Sequence, residues 1–272
     1  MEQFQRSGLT FPVIDRGPAD GEVIVLLHGF PQTASSYDAV TTQLVQQGYR
    51  TLVPTQRGYA ASARPPRRRD YRLSELVDDV VALLDTAGVD QVHLVGHDWG
   101  GGVAWALTGW HPERLHSLTV LSTPHPAALS AAMLHSSQAL KSWYMGLFQL
   151  PAVPEFALSR SLAGMLAKSG LRPEQVAEYS AAMAEDGALS GALNWYRALP
   201  LRPRPQVPDV AVPTTFVWGQ KDAAIGRYAA EHTGDHVTGD YRFEPIRAGH
   251  WLPETRPDEV TAAILARARG DG

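Results

Sequence analysis

The chain contains no cysteine. This excludes disulfides, thiolate nucleophiles and cysteine-ligated metals, and leaves the redox compartment open. Excess positive charge is also missing: 24 Lys and Arg stand against 28 Asp and Glu, for a formal net charge of −4. No overall basic field therefore favours nucleic acid or an anionic membrane. The one basic cluster, Arg64 to Arg69 with Pro65 and Pro66 inside it, reads as a solvated loop. The opening residues Met1-Glu2-Gln3-Phe4-Gln5-Arg6 carry an early acid and no long apolar run. Neither a signal peptide nor a spanning helix is expected, and a soluble cytoplasmic protein is the default. There is no internal repeat or low-complexity tract. What remains, 272 residues with 44% hydrophobic and 19% charged, suits a globular enzyme with a sizeable core.

Strand and helix signals alternate in the first half. Thr10 to Asp15, Glu22 to Leu27, Arg50 to Pro54, Gln91 to Val95 and Ser117 to Leu121 read as strands. Leu73 to Ala87 reads as an amphipathic helix, and a further helix starts at Trp99. Such alternation predicts a mostly parallel sheet with helices on both faces. From about His125 to Val212 only helical spacing persists, with segments at Ala127 to Phe148, Pro154 to Ser169, Pro173 to Ala184 and Ser190 to Leu199. The strand–helix pattern then returns with Thr214 to Trp218, Gly226 to His232, Tyr241 to Ile246 and Pro257 to Ala266. The expected organisation is an α/β core of residues 1–124 and 213–272, with residues 125–212 inserted as an all-helical lid over the carboxyl ends of the strands. The Pro-rich run Leu201 to Pro208 is expected to be a stiff strap returning from lid to core.

The segment Val95-Gly96-His97-Asp98-Trp99-Gly100-Gly101 ends an apolar strand, turns sharply and opens a helix. In a Gly-x-nucleophile-x-Gly elbow the central side chain is strained and exposed, and small neighbours let the backbones pack closely. Here the centre is Asp98 where Ser is usual. A carboxylate nucleophile forms an ester by displacing a leaving group from carbon. Alone, the same residues also fit a solvated turn.

Hydrolysis of such an ester needs a base. His250, in Ala248-Gly249-His250-Trp251 after the last strand, is the candidate. His93 falls within a strand. His111, His116, His232 and His236 fall near helix ends, while His28 and His97 suit structural roles beside the site. The base needs an acceptor to fix its tautomer, and Asp222, after Trp218-Gly219-Gln220-Lys221, meets that need, although it also reads as a turn residue. The order nucleophile, acid, base matches that of α/β-hydrolases. Backbone N–H groups of Phe30, in His28-Gly29-Phe30-Pro31, and of Trp99 are candidates for an oxyanion hole.

Together, His28-Gly29-Phe30-Pro31, Gly96-His97-Asp98-Trp99-Gly100-Gly101, Trp218-Gly219-Gln220-Lys221-Asp222 and Gly249-His250-Trp251 resemble the α/β-hydrolase family, and specifically its epoxide hydrolase branch. The resemblance covers nearly the whole chain. It implies that two lid tyrosines stabilise and protonate the departing epoxide oxygen. Ser142-Trp143-Tyr144-Met145 resembles the first position at Tyr144, and Leu193-Asn194-Trp195-Tyr196-Arg197 the second at Tyr196. Both tyrosines also suit simple helix packing. The implied reaction takes a small-molecule epoxide and water to a vicinal diol, with no cofactor, metal, nucleic acid or membrane insertion. Residues expected to touch substrate are Phe30, Trp99, Met145, Phe148 and Trp251, and Met133, Leu140, Leu147 and Leu150 add to an apolar lid.

The nearest alternative is a haloalkane dehalogenase with the same Asp/His/Asp triad. That branch resembles His-Gly-Asn-Pro at the first turn, where this chain has Phe30, and fluoroacetate dehalogenases carry an Arg after the nucleophile, where it has Trp99. A non-catalytic ligand-binding homologue is a further alternative, because fold alone does not assign function. One departure from the family pattern is Thr55-Gln56-Arg57-Gly58-Tyr59-Ala60, where many members place an Asp ahead of Arg-Gly-Tyr-Gly. That loop is expected to affect packing and pocket shape only. The sequence assigns no oligomeric state.

Overall fold

The structure, a computed structural model, describes residues 1–201 and 206–270. Its sheet has eight strands: β1 (Gln3–Arg6), β2 (Leu9–Arg16), β3 (Val23–Leu27), β4 (Arg50–Pro54), β5 (Val92–His97), β6 (Leu115–Leu121), β7 (Thr214–Gly219) and β8 (Tyr241–Ile246). Their spatial order is β1-β2-β4-β3-β5-β6-β7-β8. β1 and β2 pair antiparallel, as do β2 and β4, and the rest of the sheet is parallel. β1 is absent from the sequence reading because only Phe4 of its four residues is buried. The Ser7-Gly8 turn that follows has φ of 51° and 76°, the geometry of a two-residue hairpin.

Twelve α-helices accompany the sheet among the described residues: α1 (Asp38–Gln46), α2 (Leu73–Ala87), α3 (Trp99–Trp110), α4 (Pro126–His135), α5 (Gln138–Lys141), α6 (Trp143–Leu147), α7 (Val153–Ala167), α8 (Pro173–Ala184), α9 (Ala188–Arg197), α10 (Arg227–Glu231), α11 (Leu252–Thr255) and α12 (Pro257–Ala268). Alternation along β3 splits the interior in two. Val23, Val25 and Leu27 join one apolar cluster with residues of α2 and α3, while Ile24 and Leu26 join another with residues of α1 and α12. None of these helices is long and apolar enough to cross a membrane.

Between β6 and β7 the described residues are helical, from α4 to α9 and a short 3₁₀ turn at Leu199–Leu201. The single helix expected over Ala127 to Phe148 is three short ones. The first break is at Ser136, which is extended at φ −146° and ψ −175°. Its hydroxyl donates to the Ala132 carbonyl and accepts from the Gln138 N–H, an example of a serine side chain competing with helix continuation. Of the expected strap, residues 202–205 lie outside the described residues. Downstream of them, Val210 makes a parallel bridge to Val237.

The chain adds β4 on one side of β3 and β5 on the other. The carboxyl ends of β3 and β5 therefore flank a topological switch point, the crevice where open α/β sheets bind ligands. Leu27 is in register with Gly96 there, which brings the turn at His28 to Phe30 beside Asp98.

Candidate active site

Asp98 joins β5 to α3 with φ 50° and ψ −123°, a strained backbone for a non-glycine residue. The turn is held by its own carbonyl, which accepts from the Gly102 N–H (3.1 Å) and the Thr123 hydroxyl (2.9 Å). It also depends on a bare backbone at Gly100, where a Cβ would run into the Leu27 carbonyl. Strain and close packing together push the carboxylate out of the sheet toward the switch point.

The Phe30 N–H donates to Asp98 Oδ1 at 2.8 Å. On the other carboxylate oxygen, His250 Nε2 lies 3.5 Å from Oδ2. The opposite ring nitrogen, Nδ1, is 2.8 Å from Asp222 Oδ2. Asp222 follows β7 and is buried, and its second oxygen accepts the N–H groups of Ala224 (2.7 Å) and Ile225 (3.0 Å). The loops after β5, β7 and β8 thus bring Asp98, Asp222 and His250 together in one chain of contacts.

Electrostatics within this group are strongly coupled. Burial alone would push the imidazolium of His250 down, but the carboxylates of Asp222 and then Asp98 hold its pKa well above the usual value. Burial pushes Asp98 up, and the bond and charge of His250 more than offset this, so it stays below the ordinary carboxylate range. Asp222 behaves in the same way, with the His250 charge as the main opposing effect.

Asp98 opens onto a cavity of about 210 Å³. Tyr144 and Tyr196 stand on its wall with Trp99, Met145 and Trp195. The rings of Tyr144 and Tyr196 are 6.1 Å apart, and Tyr196 sits edge-on to Trp99 at 4.9 Å. Burial, and next the negative charge of Asp98, raise both phenols above their usual pKa, so both carry their protons at neutral pH. The N–H of Trp99 belongs to the first residue of α3 and has no acceptor within the helix.

Other sequence-expected contacts fall elsewhere. Phe148 packs behind the two tyrosines, 4.9 Å from Tyr196 and 5.4 Å from Tyr144. Phe30 meets Tyr196 edge-on at 5.7 Å, and its backbone N–H is what faces Asp98. Trp251 lies against His250 at 5.0 Å, and its indole N–H donates to Ser169. Of the expected lid residues, Met133 reaches the cavity, while Leu140 and Leu150 are exposed because the broken helices turn them outward. His116 lies on β6, two residues after the 3₁₀ turn Pro112–Arg114, with its side chain at the surface.

Leu73, Leu76, Leu129, Leu199 and Ile225 also line the cavity wall, beyond the residues expected there. Leu73 and Leu76 open α2, so their apolar spacing read as core. The Thr55–Ala60 loop, expected to affect packing and pocket shape, does so through specific bonds. Gln56 contacts His28 twice: its N–H donates to Nε2 at 3.2 Å, and its side-chain amide donates to the His28 carbonyl. The Arg57 carbonyl accepts the indole N–H of Trp195 at 2.8 Å. The loop therefore seats both the turn carrying Phe30 and the helix carrying Tyr196.

A mostly parallel sheet with a strained acidic elbow, a histidine–carboxylate pair and an apolar cavity at its switch point is an arrangement suited to a hydrolase. Residues 22–257 match the family model for the alpha/beta hydrolase fold, and the chain belongs to that family. Its relatives place it in the epoxide hydrolase branch. It is 34% identical over 277 residues to epoxide hydrolase 3 of Xenopus tropicalis, covering 95% of this chain and 74% of that one. Identity to epoxide hydrolase A of Mycobacterium tuberculosis is 32% over 308 residues, with 95% and 94% covered. A relative with a less specific name, the AB hydrolase superfamily protein YfhM of Bacillus subtilis, is 37% identical over 269 residues, with 95% and 94% covered. Among solved structures, epoxide hydrolase A from Mycobacterium thermoresistibile superposes with a TM-score of 0.87 at 27% identity, covering 98% and 97% of the two chains.

Proposed function

We propose that this chain hydrolyses epoxides to vicinal diols through a covalent ester on Asp98. The observation that carries the reading is the pairing of a carboxylate at the elbow tip with two protonated phenols on the same cavity wall. Asp98, ionised and held by the Phe30 N–H, attacks an epoxide carbon. The C–O bond of the ring breaks, and Tyr144 and Tyr196 take up the oxygen as it gains charge, one of them giving it a proton.

Once Asp98 is an ester its negative charge is gone. His250 then loses one of the two carboxylates that hold it protonated, releases a proton that balances the phenolate left by ring opening, and becomes competent to take a proton from water. Asp222 keeps the ring oriented and balances the imidazolium that forms. Water adds to the ester carbonyl as the N–H groups of Phe30 and Trp99 stabilise the oxyanion; the acyl–oxygen bond then breaks, the departing diol oxygen takes the proton from His250, and the Asp98 carboxyl passes its own proton to His250 to restore the starting pair.

Residues 125–212 serve in this scheme as a cap that brings Tyr144 and Tyr196 over the sheet. Among the described residues, Asp98 is the only ionised group on the cavity wall, and Leu73, Leu76, Leu129, Met133, Leu199 and Ile225 supply apolar surface. A neutral, largely apolar epoxide suits this lining. Incubation with styrene oxide and with 1-bromobutane tests the assignment. Diol formation that disappears in Asp98→Ala, without bromide release from 1-bromobutane, is the expected result; bromide release without diol formation would move the chain to the dehalogenases.

A further inference from the structure

Behind the catalytic group lies a half-buried acid that the mechanism above does not use. Glu254 sits on α11, four residues after His250. Its Oε1 accepts two bonds, from Gln32 Nε2 at 2.6 Å and from the Tyr179 hydroxyl at 2.9 Å. Its Oε2 is buried with no partner among the described residues. A carboxyl group kept in this condition costs stability relative to a well-packed apolar side chain, so stability alone does not account for it.

Gln32 links that acid to the site. Its Oε1 accepts the Gly29 N–H at 2.9 Å. Because a backbone N–H can only donate, this bond fixes which end of the amide is oxygen and directs its NH₂ at Glu254. The same Oε1 is 2.8 Å from His97 Nδ1, and His97 Nε2 is 2.9 Å from the His250 carbonyl. The Ser122 hydroxyl donates to that carbonyl as well, at 3.1 Å. The Gln32 side chain therefore joins the turn that presents the Phe30 N–H, the end of β5 and the loop carrying His250. Tyr179 belongs to α8, within the segment between β6 and β7. The same helix meets the Phe30 turn through Glu178, whose carboxylate accepts from the Thr33 hydroxyl at 3.0 Å.

We propose that Glu254 is a positioning residue for ester hydrolysis, holding the Phe30 turn and the His250 loop in register through Gln32, and that Tyr179 makes this register depend on the seating of α8. The inference rests on the covalent mechanism proposed above. It separates the two chemical steps. Asp98 is placed by the strain and packing of its own elbow, with the Phe30 N–H as one added contact to its carboxylate, so ester formation depends far less on the Glu254 contacts than hydrolysis does. Ester hydrolysis needs His250 and the Phe30 N–H, the two groups that these contacts hold.

Rapid-quench mass spectrometry with styrene oxide on wild type, Tyr179→Phe, Glu254→Ala, Glu254→Gln and His250→Gln provides the test. Tyr179→Phe removes one hydroxyl and keeps the ring. Decay of the Asp98 ester should slow about tenfold in Tyr179→Phe, the size of one lost hydrogen bond, and slow further in Glu254→Ala. Ester formation should stay within about twofold of wild type in both. In steady state, kcat and KM should fall together with kcat/KM unchanged, a signature that partial unfolding does not give. Glu254→Gln, whose amide oxygen can still accept both bonds, should decay faster than Glu254→Ala. Equal slowing of formation and decay, or no slowing of decay in Glu254→Ala, would overturn the proposal. Absence of any ester in His250→Gln would overturn the covalent mechanism, and this inference with it.

Discussion

Nε2 of His250 lies 3.5 Å from Oδ2 of Asp98, at the outer edge of a hydrogen bond and well inside the range of strong charge coupling. The contact gives His250 a different task in each half of the proposed reaction: a cation beside the free carboxylate, and a base beside the ester. Replacement by Gln removes the base and leaves the nucleophile. His250→Gln should therefore form the ester at a rate close to wild type and lose turnover by about 10³-fold, read as a persistent mass increase on Asp98 equal to the whole epoxide.

In the proposed reaction the two phenols act in the other half. Tyr144→Phe and Tyr196→Phe should each lower kcat/KM by about 10²-fold, because each removes one donor to the oxygen that leaves carbon. The double variant should lose more than either single one. Steady-state kinetics with styrene oxide check this, and a variant that lowers kcat while leaving kcat/KM intact would place its tyrosine outside ring opening.

The two halves should also differ in pH dependence. Ester formation requires Asp98 ionised, and Asp98 titrates below the ordinary carboxylate range. Under conditions where hydrolysis limits turnover, kcat requires neutral His250, which the remaining contact with Asp222 still holds up. On acidification kcat should therefore fall first, and kcat/KM should persist to lower pH. Coincident acid limbs in the two profiles would contradict the assigned roles.

Much of this arrangement was legible in the sequence. The elbow at Asp98, the acid after β7 and the histidine after β8 are marked by short motifs at strand ends, where local chemistry and global position coincide. The helix Leu73–Ala87 and the strands Arg50–Pro54 and Tyr241–Ile246 agree at both ends. Contacts that join distant segments left weaker traces. Gln32 and Glu254 look like ordinary polar residues until folding brings them to His97, and the breaks at Ser136 and Ser142 interrupt a stretch whose apolar spacing continues through them.

Histidines other than His250 affect stability. Burial lowers the pKa of His28 and His125 to about 4 from an ordinary 6.5. A depressed histidine favours the folded chain most above its unfolded value and loses that contribution as pH falls toward its folded value. The urea midpoint should accordingly drop between about pH 6.5 and pH 4. His125 supplies the N-cap of α4 through Nδ1, which accepts the Ala127 N–H at 3.3 Å. His125→Asn, which keeps a cap acceptor without a titrating ring, should have a shallower pH slope of the midpoint than wild type.

Gly58 tests how α9 is seated. It has φ 91°, and a Cβ there would meet the Gly191 carbonyl carbon and oxygen at 2.9 Å. Gly58→Ala should destabilise the fold by about 2 kcal/mol and shift the helix bearing Tyr196. Calorimetry should show a lower Tm, and kcat/KM should fall by more than the folded fraction explains.

The most direct test of the central claim is a single turnover with enzyme in excess over styrene oxide in H₂¹⁸O. If Asp98 forms the ester and water attacks its carbonyl carbon, the first diol carries no ¹⁸O, and the peptide containing Asp98 gains one. An ¹⁸O-labelled first diol with an unlabelled Asp98 would mean that water attacks the epoxide directly, and would contradict a nucleophilic role for Asp98.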